Sequence, residues 1–188
     1  MRRALSLSLC ALGLYLCASG SFIYVKALVA QVLLRSAWAE ARDGSERARP
    51  WPWADTWPVA RLLSPAHGVD LIVLEGATGA STAFGPGHVT GTAEPGERGN
   101  VAIAAHRDTH FAFLERVQPG EDLWLELPDG RARRFVVEGT SVVDQNDTAS
   151  LSASADRLTL VTCYPFHAAT PGGPLRYVVQ ARAALGPA

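Results

Sequence analysis

Two segments of this sequence run from apolar, β-forming residues straight into a reactive side chain. Val101-Ala102-Ile103-Ala104-Ala105 leads into His106, and Leu158-Thr159-Leu160-Val161-Thr162 leads into Cys163. The chemistry such a pair supports is nucleophilic acyl transfer. Only the thiolate is a strong nucleophile, and an imidazole beside it can hold it as an ion pair and later protonate a leaving amine. Acyl transfer also develops charge on a carbonyl oxygen, which needs a fixed donor. Arg176, opening the run Leu175-Arg176-Tyr177-Val178-Val179, offers a permanently charged fork on a rigid strand. Each residue also has a plainer reading. A free cysteine is often a small buried hydrophobe, a strand arginine often pairs with a surface carboxylate, and Thr162 is an ordinary β-branched strand residue.

Bringing these groups together requires neighbouring strands, and the pattern from Val59 onward predicts them. Short runs rich in Val, Leu and Ile alternate with Gly, Pro, Asp and Asn. They are Leu71 to Leu74, Val101 to Ala105, Leu123 to Leu127, Arg133 to Val143, Arg157 to Thr162 and Leu175 to Ala183. Pro128-Asp129-Gly130 predicts a tight hairpin turn. No long helix interrupts the series, so the fold class is mainly β. A closed barrel is favoured over an open sheet, because closure removes edges that would recruit other chains. Residues 76–99 predict a loop with turns at Gly85-Pro86-Gly87 and Glu94-Pro95-Gly96, and loops of that length often carry function.

The chain has 188 residues, with 17 Lys and Arg against 18 Asp and Glu. That length holds one domain with a true core, and the near-zero balance gives no electrostatic case for nucleic acid. Ala4 to Val25 carries no charge and follows Arg2 and Arg3. At about 1.5 Å per helical residue this run can cross a hydrocarbon core of roughly 30 Å, with the arginines on the cytoplasmic side. The alternative is a cleaved signal peptide with Cys17-Ala18-Ser19-Gly20 as its cleavage region, but Phe22 to Val25 prolong the apolar run past it. Either reading exports the remainder of the chain. Cys10 and Cys17 lie in the apolar run, so Cys163 is alone in the exported part, with no partner for an intradomain disulfide. The expected organisation is a cytoplasmic tip and transmembrane anchor at 1–26, a juxtamembrane helix and Trp/Pro-rich arm at 27–58, and a catalytic barrel at 59–188. Trp51, Trp53 and Trp57 of the arm are expected to pack on the domain rather than dip into headgroups.

At these residues the sequence resembles a known family. Thr159-Leu160-Val161-Thr162-Cys163 is similar to the TLxTC signature of sortases, Ala104-Ala105-His106-Arg107-Asp108 to the strand end bearing their histidine, and Leu175-Arg176-Tyr177 to the strand bearing their arginine. The three motifs occur in the family's order across Val59 to Ala183. The arm from Trp51 to Arg61 further resembles the subgroup described from Gram-negative bacteria. The resemblance implies an eight-stranded barrel with short helices, acting as a cysteine transpeptidase. It implies cleavage of an LPxTG-like C-terminal sorting signal after Thr through a thioester, and transfer of the substrate protein to an amine acceptor. Carried over, Cys163 is the nucleophile, His106 the acid/base and Arg176 the oxyanion or substrate support. Thr162 with Val161 would line the groove, and His88 and Tyr164 would shape the pocket. No cofactor is implied. The expected partners are the substrate protein, the acceptor and the bilayer through residues 4–25. The expected location is the inner membrane with the domain outside the cytoplasm, periplasmic in a Gram-negative cell.

Rival readings remain at this level. A cysteine peptidase releasing its product to water would use the same residues. A zinc-binding noncatalytic barrel would use His106 with His110 and Cys163 with His167, each pair at helical ligand spacing. Against it, the first histidine closes an apolar strand and Pro165 interrupts the second pair. Glu94, Glu97, Asp144 and Asp147 form no recognisable calcium loop and read as solvated turn residues.

Overall fold

The computed structural model describes Gly13 and residues 28–151, 155–168, 170 and 172–184. The expected transmembrane run therefore lies outside the described residues apart from Gly13. Among those described, no helix is long and apolar enough to cross a membrane.

Residues 28–42 form a helix, α1. The barrel comprises β1 (Pro58–Ser64), β2 (Val69–Glu75), β3 (Gly87–His88), β4 (Asn100–Ala104), β5 (Asp122–Glu126), β6 (Ala132–Asp144), β7 (Arg157–Tyr164) and β8 (Leu175–Ala183). One turn of helix, α2 (Gly79–Thr82), and two short 3-10 segments, Pro65–His67 and Ala112–Arg116, fill the connections. The strands close in the order β1-β2-β3-β4-β7-β8-β6-β5, with β5 returning to β1. The mainly β, closed eight-stranded architecture expected from the sequence is thus present.

Alternation builds it. In β1 the small and apolar Ala60 and Leu62 are fully buried, while Arg61 between them faces out, as the two-residue side-chain period of a strand requires. Arg61 then spans the seam where the barrel closes, donating to Asp70 of β2 at 2.6 Å and Glu126 of β5 at 3.0 Å. The interior is filled by Leu62, Val73, Ile103, Leu125, Phe135, Leu158, Leu160 and Val179, with Phe111 and Phe113 entering from the connection after β4. The hairpin turn at Pro128-Asp129-Gly130 is present, with Gly130 at φ 85° and the Asp129 carboxylate accepting from the Arg131 amide at 2.9 Å.

The expected juxtamembrane helix does not stand free. Leu34, Ala37, Trp38 and Ala41 are buried, and Gln31 donates to the Phe84 carbonyl at 2.8 Å, so α1 docks on the domain. The arm divides: Trp51 packs edge-on against Phe84 at 4.9 Å and Trp57 lies beneath the Arg47 guanidinium, but Trp53 stays 82% exposed. Packing on the domain is thus shown for Trp51, while Trp57 packs within the arm and Trp53 faces solvent.

Candidate active site

The arrangement follows from register. β7 lies between β4, which runs parallel to it, and β8, which runs antiparallel. Ile103 is level with Leu160, Leu160 with Val179, and Cys163 with Arg176. Leu160 and Val179 point into the core. Cys163 and Arg176, an odd number of positions along each strand, therefore share the outer face. Beyond the β4–β7 ladder the pairing continues. The Ala105 amide donates to the Val161 carbonyl at 3.2 Å and the Thr162 hydroxyl donates to the Ala105 carbonyl at 2.7 Å. β4 ends at Ala104, and His106 follows two residues on, where the chain leaves the strand pair for a turn. Register thus pairs Cys163 of β7 with Arg176 of β8, while His106 follows the end of the adjacent β4.

Cys163 is a free, half-buried thiol and His106 is exposed. Among the described residues no hydrogen bond joins them. The Arg176 fork is held from behind: Nη1 donates to the Gly173 and Leu175 carbonyls at 2.8 and 2.9 Å, and Nη2 to the Gln145 side-chain oxygen at 2.9 Å. These contacts tie the guanidinium to the segment leading into β8 and to Gln145 just after β6.

The expected groove residues fare differently. Val161 shares the face of Cys163. Thr162 does not: it is 2% exposed and points inward, its hydroxyl tying the ends of β4 and β7. Tyr164 also lies on the opposite face, stacked on Tyr177 at 6.1 Å and edge-on to Phe166 at 6.3 Å, closing the barrel end. His88 is fully buried on β3, two strands from Cys163. Thr162 and Tyr164 adjoin Cys163 in sequence, but strand alternation sends every second side chain away from the thiol, whereas His88 is set apart by the strand order. Thr162 instead aligns the two strand ends. Thr162→Val is expected to leave the buried Ala105 carbonyl unpaired and to lower unfolding free energy by about 1–3 kcal/mol, measured by denaturant titration.

Sequence reading missed Arg107. It is 4% exposed, and its Nη2 donates to the carbonyls of Ala168 and Thr170 at 3.4 and 2.8 Å, so the residue after His106 holds the β7–β8 connection after Cys163. The only signal was the Arg107-Asp108 pair directly after a strand end, which gives no hint of burial.

The zinc reading of this end fails on geometry. Residues 107–111 form a turn rather than a helix, and His167 sits 3.0 Å from Glu115. These histidines and Cys163 do not gather their ligand atoms; among the described residues the group that does is Glu75, His88 and Glu94. His110 titrates below the ordinary histidine range, first because it is partly buried and second because His106 carries charge nearby. A depressed folded-state value means stability is fully present above about pH 6.5 and is lost as pH falls, since the unfolded chain takes up the proton first. His110→Gln should therefore flatten the decline of Tm between pH 7 and 5 relative to the parent, read by thermal melts across that range.

A closed eight-stranded barrel that pairs a free cysteine on β7 with an arginine on β8 defines the class of protein. A sortase-domain family model matches residues 62–184, and the chain belongs to the sortase family. It is 31% identical over 123 residues to Sortase D of Bacillus subtilis (strain 168), spanning 64% of this chain and 61% of that relative. Sortase A from Corynebacterium diphtheriae superposes with TM-score 0.64 at 27% identity, over 72% of this chain and 65% of that one. A Clostridium perfringens Sortase D5 transpeptidase gives TM-score 0.67 over 83% and 98% of the two chains; at 24% identity this likeness concerns the fold alone. The chain thus spans less than two thirds of the length of the first two relatives.

Proposed function

We propose that this chain is a cysteine transpeptidase acting on a protein with an LPxTG-like C-terminal sorting signal. The observation that supports the proposal is the register pairing Cys163 with Arg176, together with His106 just past the end of the neighbouring β4. Cys163 attacks the carbonyl of the signal's threonine, and Arg176 stabilises the resulting oxyanion. Collapse breaks the Thr–Gly peptide bond, His106 gives its proton to the departing amine, and a thioester remains on Cys163. An acceptor amine then attacks the thioester, its proton passes to His106, and the thiolate leaves. Transfer to water instead of an amine would make the protein a peptidase, and the two outcomes separate by product mass when peptide is incubated with and without added amine. The sorting signal and the amine acceptor rest on family membership, not on any contact in this chain.

Arg176→Ala is expected to lower kcat/KM by about 10²–10³-fold, the typical loss when one oxyanion donor is removed. An unchanged rate in a folded variant would take Arg176 out of the site. The proposal includes an anchor in the cytoplasmic membrane with the barrel outside the cytoplasm. Leu28, Val29, Val32 and Leu33 are exposed at the start of α1, directly after the apolar run, which suits a helix emerging from a bilayer. The arm's likeness to the Gram-negative subgroup finds no support among the relatives above, which come from Gram-positive bacteria, so the proposal stops at the family.

A further inference from the structure

His88 has no exposed surface, and its two ring nitrogens meet opposite surroundings. Nε2 lies 3.0 Å from the Ala93 carbonyl oxygen and 3.2 Å from Thr92 Oγ1. The carbonyl can only accept. The Thr92 hydroxyl already donates to the Val89 carbonyl at 2.7 Å and accepts from the Ala102 amide at 3.2 Å. Nε2 therefore carries the proton, and in a neutral ring Nδ1 presents a lone pair. That nitrogen is buried without a hydrogen-bond partner, yet it points at two carboxylates, 3.5 Å from Glu75 Oε2 and 3.9 Å from Glu94 Oε2. A lone pair facing two anions is repulsive unless a positive charge sits among them.

We propose that Glu75, His88 and Glu94 bind a divalent transition-metal ion of the zinc type, with water completing its shell. The three ligand atoms lie within 4.8 Å of one another. Ligands about 2.0–2.2 Å from zinc at tetrahedral angles stand roughly 3.4 Å apart, close to the separation between His88 and Glu75. Glu94, 60% exposed in the loop after β3, has the freedom to close the remaining gap. Donation of the second ring N–H to a backbone carbonyl, here Ala93, is the usual support of a metal-bound imidazole. The imidazole also decides the metal: calcium and magnesium take oxygen ligands, whereas nitrogen with carboxylate suits zinc and its neighbours. Glu75 and His88 are paired across β2 and β3, and Gly87 admits no Cβ against the Gly76 carbonyl, so the backbone holds both ligands close. The ion would tie β2, β3 and the 89–99 loop together, with β4 lying between it and the strand of Cys163. This inference is independent of the transpeptidase reading.

The test is zinc titration of the metal-free full-length protein against a chromophoric chelator at neutral pH, with Tm followed in parallel. One equivalent should bind with a rise in Tm. Glu94→Gln should weaken binding at least about tenfold, while Glu97→Gln in the same loop should bind as the parent does. Cys163→Ala should also bind normally. Glu94 serves because His88 is fully buried and its replacement endangers folding. Absence of saturable binding would mean that Nδ1 holds a proton instead, and would overturn the site. Binding unaffected by Glu94→Gln, binding lost in Cys163→Ala, or stabilisation by calcium but not zinc would each overturn it too.

Discussion

Cys163→Ala should eliminate cleavage of a sorting-signal peptide, with a loss on the order of 10⁴-fold or more in kcat/KM, because no thioester can form and neither water nor the acceptor has another activated route. The fold should survive. The side chain is half-buried on the outer face, outside the core cluster, and surface changes of this kind typically shift stability by no more than about 0.5 kcal/mol. Circular dichroism and Tm on the same preparation separate a lost nucleophile from a lost structure. Cys163→Ser should be nearly as inactive, since a serine hydroxyl is a weak nucleophile unless a base removes its proton. Retained turnover in the alanine variant would remove the thiol from the chemistry altogether.

His106→Ala should cost about 10²–10⁴-fold, the usual contribution of a positioned acid/base. In the proposed reaction it stabilises the sulfur anion and delivers the proton to the leaving amine. Both tasks need the imidazole, so the variant should also lose the acidic limb of the rate profile, and its residual activity should rise monotonically with pH as the thiol ionises unaided. Tm should hardly move, because the ring is exposed and unbonded among the described residues. A parent-like rate would show that the proton travels elsewhere. His110 is a competing ring, but partial burial, which persists in the variant, disfavours its protonated form.

Much of this was legible because β-strands advertise themselves. The six runs expected from the sequence lie on β2, β4, β5, β6, β7 and β8, with Cys163 and Arg176 near strand ends and His106 two residues past the end of β4. β1 was missed behind Pro58 and Arg61, and β3, two residues containing a glycine, has too little side chain to carry a pattern. What the sequence could not convey was which face each side chain takes near the site. Thr162 and Tyr164 adjoin Cys163 in the chain yet sit across the sheet from it, one tying strands and the other packing the barrel end. Burial of Arg107 and convergence of Glu75, His88 and Glu94 depend on the path of the connections, which composition does not encode.

Intact-mass analysis of the protein mixed with an LPxTG-like peptide tests the central claim most directly. The account predicts an adduct equal to the peptide's N-terminal fragment through threonine less one water, mapped to Cys163 and discharged by added amine with formation of the amide. Cleavage without any adduct on Cys163, or an adduct on another residue that persists in Cys163→Ala, would contradict it.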